Sequence, residues 1–352
     1  MRRQLVIFRN PNLSAALLGI VLAVAPQFAA ETPEGLLTLS PEEIAPARER
    51  NWKRLGIASS DITVLDRFHR GGGYEGFHIA YKIGDLHLTG ILTRPYIRDE
   101  ESRFPLVILN HGGMHGVSGP YRAIALDLAR RGYMVLASSF RGQGGIEGRS
   151  EGRREYAKGE VLDVLQLTQM ARKQPYADSL RMAIVGEGHG ATLSLLAIQR
   201  SNVFRAAVAI SPDIFSAQPE YGLAGRNRLS EVWRELYGSE LSQVQTIREL
   251  AARDVFRTVQ RVKTPLMLVT GLSDPSYDDQ AKFVAAVRRA GTEARFVEFP
   301  GMFRGFMTAY DNGSRPPNWK ESRESAWTQV FEFLAEKLPE PEPEPVPTTA
   351  RN

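Results

Sequence analysis

The chain has 352 residues, of which 43% are hydrophobic and 24% charged, enough for one large domain with a substantial buried core. Its formal net charge is +4, and acidic and basic residues are interspersed along the sequence, so no nucleic-acid partner is predicted. The absence of cysteine excludes disulfides, thiol nucleophiles and lipid attachment through cysteine.

The first thirty residues have the layout of a secretory signal peptide. Arginines precede an apolar run from Leu13 to Ala25, and small residues follow up to Ala30. The apolar run is shorter than a typical membrane-spanning helix. We therefore expect an exported, periplasmic or extracellular protein without further membrane contact. Retention as an uncleaved N-terminal anchor is the alternative. Residues 31–70 are interpreted as an N-terminal arm.

The elements that follow predict an α/β fold built on a doubly wound, mostly parallel sheet. Two alternating runs flank Gly84 and Asp85, a dipeptide typical of a β-hairpin, so the sheet is expected to begin with antiparallel strands. Continuous apolar runs then alternate with amphipathic helical patterns. This alternation predicts a parallel sheet covered by helices on both faces.

The domain predicted from these elements covers residues 71–338. A polar helical stretch at about 214–260 is interpreted as a small insertion in it. The segment 339–352 alternates proline with glutamate, and proline excludes a helix, so we expect an extended, solvated tail.

A glycine-rich turn between a strand pattern and a helix pattern, within residues 181–200, has three interpretations. Gly186, Gly188 and Ala191 fit a dinucleotide-binding fingerprint, with Asp213 about twenty residues further on. The turn also fits the nucleophile elbow, G-x-S-x-G, except that Gly188 stands where the serine should be. A turn without any ligand is the third interpretation.

Several further motifs occur in a recognisable order. They are "HGG" at 111–113, "RGQGG" at 141–145, the elbow "GEGHG" at 186–190, "GLSDP" at 271–275 and "FPGMFRGF" at 299–306. Together they resemble the prolyl oligopeptidase and dienelactone hydrolase branch of the α/β-hydrolases. The resemblance implies the α/β-hydrolase fold and an esterase- or peptidase-type serine hydrolase, and it favours the elbow over the dinucleotide fingerprint.

The resemblance also implies a triad in the chain order Ser, acid, His. Asp274 stands at the acid position, whereas Gly188 and Arg304 occupy the serine and histidine positions. Glycine offers no nucleophile, and a guanidinium cannot accept a proton at neutral pH. The sequence therefore predicts a degenerate triad with no intact catalytic residue, in a protein retained for binding.

Backbone groups of the implied oxyanion hole remain. The resemblance assigns N–H groups near Gly112 and Gly113 and that of His189 to an anion-binding site, to which Arg304 adds a guanidinium. We therefore expect a small anionic or ester-like ligand and no cofactor. His111 and the nearby His115 straddle glycines in a loop, so no metal site is predicted.

Two alternatives remain open. One is an active esterase- or peptidase-like hydrolase with a non-standard constellation, for which Ser139, Ser194 and Ser211 are nearby hydroxyls. The other is the dinucleotide-binding protein.

Two geometric expectations follow from the motif assignment. Gly188, Asp274 and Arg304 should converge at the carboxyl ends of the parallel strands. The Arg304 guanidinium should pair with the Asp274 carboxylate, because a buried carboxylate without a partner is costly.

Overall fold

A computed structural model describes residues 62–145, 148–218 and 221–340. The predicted signal peptide, most of the predicted arm and the tail beyond residue 340 lie outside the described residues. In the described part of the chain, no helix combines the length and the hydropathy needed to cross a membrane.

The strands that the structure describes form a nine-stranded sheet in the order β1-β2-β3-β5-β4-β8-β9-β10-β11 and a separate two-stranded ribbon, β6-β7. Their bounds are β1 (Ile62–Gly71), β2 (Tyr74–Ile83), β3 (Leu86–Pro95), β4 (Phe104–Asn110), β5 (Met134–Ser138), β6 (Gly144–Gly145), β7 (Gly148–Arg149), β8 (Ala177–Glu187), β9 (Ala206–Ile210), β10 (Leu266–Gly271) and β11 (Ala294–Phe299).

One edge of the large sheet is antiparallel. Strands β2 and β3 form the predicted hairpin at Gly84 and Asp85, and β3 pairs antiparallel with β5. Strand β1 was not predicted. It lies almost entirely in the segment 31–70 that was interpreted as an arm, and because it pairs with β2, the sheet begins before residue 71. Register shifts after Val64 and Arg67 interrupt its alternation, and this obscures the two-residue period in the sequence.

The rest of the sheet is parallel, as predicted. The pairs β5/β4, β4/β8, β8/β9, β9/β10 and β10/β11 all run parallel. Side chains of β4 alternate between two hydrophobic cores: Leu106 and Ile108 face one core, and Val107 and Leu109 face the other. Strands buried on both faces read as continuous apolar runs, which is why the sequence reveals them.

Helices cover both faces of the sheet. They are α1 (Gly119–Arg130), α2 (Glu160–Arg172), α3 (His189–Ile198), α4 (Leu223–Tyr237), α5 (Gln243–Arg253), α6 (Tyr277–Arg289) and α7 (Trp319–Lys337). The buried sides of α2, α3 and α6 contribute to one core, and those of α1 and α7 to the other.

Helices α4 and α5 form the insertion at about 214–260 expected from the sequence. Leu229 and Val232 of α4 and Leu250 of α5 pack with Phe215 and Tyr156 in a small separate cluster. A capping box begins α5, because the Ser242 side chain accepts from the N–H group three residues on. The insertion therefore has a core of its own beside the sheet.

Candidate functional site

The turn at Gly188 has the geometry of a nucleophile elbow. Gly188 joins β8 to α3 with φ 53° and ψ −117°, and its N–H donates to Ile210 O at 2.8 Å. A Cβ added to Gly188 would meet Gly112 Cα at 3.9 Å and no closer atom of the described chain. The space that a side chain would enter is therefore open, while the left-handed φ strains any residue except glycine.

The two glycines that flank this position are required by packing. A Cβ on Gly186 would lie 2.4 Å from Gly190 O, and one on Gly190 would lie 2.2 Å from Asn110 O. They let α3 approach the ends of β4 and β8. Ser194 lies in the same contact, where its Oγ donates to Gly190 O at 2.9 Å and accepts from Asn110 Nδ2 at 2.9 Å. Ser194 is thus a structural hydroxyl.

Arg304 forms an ion pair with Asp213, which follows β9. Its Nη2 lies 2.6 Å from Asp213 Oδ1, and the Asp213 side chain is only 1% exposed. Tyr156 Oη donates to Asp213 Oδ2 at 2.8 Å and accepts from Arg228 Nε at 3.4 Å. Burial opposes the charge of Arg304, but the nearby carboxylates of Asp213 and Asp274 outweigh it and raise the pKa of the guanidinium. Arg304 is therefore a fixed cation.

The expected ion pair between Arg304 and Asp274 is wrong. Asp274 Oδ1 accepts from the Ser276 N–H at 2.8 Å, and Oδ2 accepts from Gln280 Nε2 at 3.3 Å. Asp274 therefore makes an Asx-type turn before α6. Asp213 takes the guanidinium instead, while both oxygens of Asp274 are held by the neighbouring amide and Gln280.

The strand topology places the three expected residues together at the carboxyl ends of the parallel strands. Gly188 follows β8, Asp274 follows β10 and Arg304 follows β11, and these strands run parallel. Asp213 joins them from β9. The sequence marks Asp213 only as the acid of the dinucleotide fingerprint, but its carboxylate is occupied by Tyr156 and Arg304.

The implied oxyanion region combines tight packing with exposed backbone. A Cβ on Gly112 would lie 2.7 Å from Tyr121 Oη, so only glycine fits, while Gly113 is exposed at φ 69°. The His189 ring stacks on Tyr156 with centroids 4.4 Å apart, and neither ring nitrogen has a partner among the described residues. Burial lowers the pKa of His189 to about 3, so its imidazole is neutral.

The two histidines of the "HGG" loop have different environments. His111 is buried, stacks on Phe140 at 4.4 Å and donates from Nδ1 to Gly112 O at 3.0 Å; burial lowers its pKa to about 3. His115 is exposed. Within the described ranges no group of three or more His, Asp or Glu side chains could hold a metal ion.

The two remaining candidate hydroxyls, those of Ser139 and Ser211, differ in their hydrogen bonds. Ser139 Oγ accepts from the Val117 N–H at 2.8 Å. Ser211 follows β9 with φ 48°, and its buried Oγ has no hydrogen-bond partner in the described part of the chain. A left-handed, non-glycine residue next to a candidate site is a sign of local strain.

Glu187, between the first two glycines of the elbow, was not predicted as a site residue. Its Oε2 accepts from Tyr121 Oη at 2.8 Å and its Oε1 from Thr308 Oγ1 at 2.7 Å. Burial raises the pKa of Glu187 to about 7, against the hydrogen bonds and the positive charges of Arg304 and Arg323. The elbow pattern leaves this position open to any residue, so no motif marks Glu187 in the sequence.

A cleft of about 850 Å³ opens beside Arg304, between α4 and the start of α6. Both cations and carboxylates line it: Arg228, Lys282, Arg304, Glu231, Asp278 and Asp279. Its volume lies in the range of about 300–1,000 Å³ that is typical of small-molecule sites.

The sheet order, the helices on both faces and the elbow between β8 and α3 define an α/β-hydrolase fold. Residues 121–309 match the prolyl oligopeptidase family, peptidase family S9. The chain belongs to that family.

Curated relatives agree with this assignment. The chain is 26% identical over 220 residues to the uncharacterized peptidase YuxL of Bacillus subtilis, covering 60% of this chain and 33% of that protein. It is 26% identical over 274 residues to dipeptidyl aminopeptidase BIII of Pseudoxanthomonas mexicana, covering 71% and 37%. The chain thus spans about a third of the length of these relatives.

Two structural neighbours illustrate the fold. Acylaminoacyl peptidase of Pyrococcus horikoshii superposes with a TM-score of 0.60 at 20% identity, over 78% of this chain and 43% of that one. An acetyl xylan esterase from Paenibacillus sp. R4 superposes with a TM-score of 0.60 at 16% identity, over 86% and 97%.

Proposed function

We propose that this protein is an exported, catalytically inactive member of the prolyl oligopeptidase family that binds a small anionic or ester-like ligand. The observation that carries the proposal is the turn at Gly188. It has the left-handed conformation of an elbow, and the space where a serine side chain would lie is open.

The chemistry of the neighbouring groups supports loss of catalysis. Gly188 provides no oxygen nucleophile, and Arg304 is held as a cation by Asp213. His111 and His189 are neutral, but each is buried and stacked on an aromatic ring. In a serine protease, removal of the serine or the histidine costs about a million-fold in turnover.

Binding would use groups that do not depend on the triad. The N–H groups at Gly113 and His189, the start of α3 and the partly exposed Arg304 guanidinium favour a carboxylate or another oxyanion. The cleft of about 850 Å³ beside Arg304 offers room for the rest of such a ligand. Export rests on the signal-peptide layout of residues 1–30.

A titration of short carboxylates tests the binding role. Butyrate, succinate and benzoate are titrated into the full-length chain by calorimetry, and into Arg304→Gln and Lys320→Gln as a matched pair. Lys320 is 70% exposed and pairs with Asp311 on the surface. We expect at least one carboxylate to bind, about ten-fold or more weakly to Arg304→Gln, since a charge-assisted pair contributes about 1.5–3 kcal/mol. Equal binding by both variants would contradict the proposal.

A second candidate function is hydrolysis with a non-standard nucleophile. Ser211 favours it, because its Oγ is unpartnered among the described residues and its backbone is left-handed at φ 48°. In that case Ser211→Ala would abolish a measurable esterase activity, whereas Ser194→Ala would not.

A further inference from the structure

A basic pocket lies at the other end of α3 from the elbow. It is formed where α3 and α5 end and where a short 3₁₀ turn, Val259–Arg261, leads into β10, and its volume is about 390 Å³. Helix α3 has 10 residues, so about 15 Å of helix separates this pocket from Gly188. Three arginines line it: Arg200, Arg257 and Arg261. We call these residues and the space between them the arginine pocket.

The guanidiniums of the arginine pocket have no counter-ion. In the described part of the chain, Arg200, Arg257 and Arg261 make no ion pair, no side-chain hydrogen bond and no cation–π contact. Partial burial lowers the pKa of the Arg200 guanidinium, and no carboxylate of the described residues raises it again. A partly desolvated charge without a partner is costly, so the pocket favours an added anion.

The acid in the lining is already occupied. Among the described residues that line the pocket, Asp254 is the single acid. Its Oδ2 accepts from Ser216 Oγ at 3.2 Å and from the Ala217 N–H at 2.9 Å. Its Oδ1 accepts from the N–H groups of Phe256 and Arg257 at 2.9 and 3.1 Å. Three guanidiniums against this one carboxylate leave an excess of two positive charges.

The backbone that carries the arginines is fixed by Gln199 and Thr258. Thr258 Oγ1 donates to Gln199 Oε1 at 2.5 Å, and Gln199 Nε2 donates to a carbonyl of the same loop at 2.8 Å. Arg200 follows Gln199 and Arg257 precedes Thr258, so these bonds fix the spacing of the two arginines. The Arg261 N–H donates to Thr258 O at 2.9 Å and holds the third. Cations positioned in advance need less ordering when an anion binds.

We propose that the arginine pocket binds a small phosphate monoester, whose phosphoryl oxygens are held by Arg200, Arg257 and Arg261. A phosphate monoester carries a charge of about −1.5 to −2 at pH 7, which matches the excess of two positive charges. The planar guanidinium matches phosphate geometry through paired N–H groups. Apolar side chains complete the lining for the ester group: Leu196, Ala251 and Ala252. This site does not depend on the binding role proposed for Arg304.

Calorimetric titration of phenyl phosphate into the full-length chain tests the proposal. Arg257→Gln/Arg261→Gln removes two charges from the pocket, and Arg149→Gln/Arg248→Gln removes two at exposed positions outside its lining. We expect the full-length chain and the control variant to bind phenyl phosphate equally. The pocket variant should bind it about ten-fold or more weakly, because charge-assisted hydrogen bonds are lost.

Chemical protection locates the site without any variant. Phenylglyoxal modifies accessible arginines, and mass spectrometry of the peptides gives the rate at each one. Phenyl phosphate at ten times its dissociation constant should slow the modification of Arg200, Arg257 and Arg261 about ten-fold, since it occupies about nine tenths of the pockets. The rates at Arg149 and Arg248 should not change.

Four results would overturn the proposal. Equal affinities of the pocket variant and the control variant would show that the arginines hold no phosphate. Equal protection of all exposed arginines would show binding without a site. Loss of binding in Arg304→Gln alone would assign phenyl phosphate to the cleft beside Arg304. Arginine-dependent binding to phosphatidylglycerol vesicles, without binding of phenyl phosphate, would assign the arginines to a lipid surface.

Discussion

The guanidinium of Arg304 and the carboxylate of Asp213 lie 2.6 Å apart and tie the loop after β11 to the end of β9. This ion pair lies at the carboxyl ends of the strands, where a serine hydrolase of this fold carries out its chemistry. Because Tyr156 donates to the same carboxylate, Asp213 is paired on both oxygens, and the pair is as much a structural anchor as a candidate ligand contact.

Arg304→Gln should destabilise the protein, because it leaves a buried carboxylate without its countercharge. Breaking a fully buried ion pair costs about 3–5 kcal/mol. Because Arg304 is partly exposed, we expect a somewhat smaller loss of about 2–4 kcal/mol in the free energy of unfolding, measured by urea titration. Lys320→Gln, which breaks the exposed pair with Asp311, should cost under about 1 kcal/mol. Similar losses in the two variants would show that Asp213 does not depend on Arg304.

Substitutions in the elbow should separate backbone strain from steric overlap. Gly188→Ser should cost about 1–3 kcal/mol, the range for a strained left-handed backbone, because its Cβ meets no atom closer than 3.9 Å. Gly190→Ser should be far more damaging, because its Cβ would lie 2.2 Å from Asn110 O. Soluble yield and urea unfolding of the two variants provide the comparison, and equal losses would contradict the open space at Gly188.

Restoring the two replaced residues should restore measurable chemistry. Gly188→Ser alone should stay inert, because Arg304 cannot accept the serine proton. Gly188→Ser/Arg304→His should hydrolyse p-nitrophenyl acetate about ten-fold or more faster than the unmodified chain, given how much a serine and a histidine contribute together. Adding Asp274→Asn should remove most of this gain. A double variant no faster than the unmodified chain would mean that the site has lost more than these two side chains.

Glu187 should make stability depend on pH in a direction unusual for a carboxylate. Its folded pKa, about 7, lies above its ordinary value of 4.5, so between these values the folded chain holds a proton that the unfolded chain has lost. Its contribution is therefore complete below pH 4.5 and is lost as the pH rises through 7.

The matched variant for this effect is Glu187→Gln, which keeps acceptor and donor atoms for Tyr121 and Thr308. Between pH 4.5 and 7.5, the stability of the native chain relative to this variant should fall by about 1–3 kcal/mol. Relative to a Glu324→Gln variant at an exposed position, no such trend is expected. A stability difference between the native chain and Glu187→Gln that does not change with pH would show that Glu187 holds no extra proton in the folded chain.

Patterns of local hydrophobicity and turn chemistry were sufficient to predict most of the fold. The parallel strands are buried on both faces and therefore appear as apolar runs, and Gly84 with Asp85 marks the hairpin. Strand β1 was missed because its polar residues and register shifts break the two-residue period. Its presence in the sheet depends on pairing with β2, which a local pattern does not contain.

The site was predicted in position but not in its pairing. Strand order alone places Gly188, Asp274 and Arg304 at one edge. Which carboxylate Arg304 reaches depends on the other partners of the carboxylates at the ends of β9 and β10, and these are a property of the packed structure. Glu187 was missed for the same reason, since its burial against Tyr121 has no local signature.

The central claim, that this member of the family lacks a serine nucleophile, is tested most directly by intact-mass spectrometry after incubation with a serine-directed fluorophosphonate. The account predicts that the full-length chain keeps its unmodified mass, while a family hydrolase treated in parallel gains one adduct. A single adduct on the unmodified chain, mapped to Ser211 or any other serine and accompanied by hydrolysis of p-nitrophenyl acetate, would contradict the account.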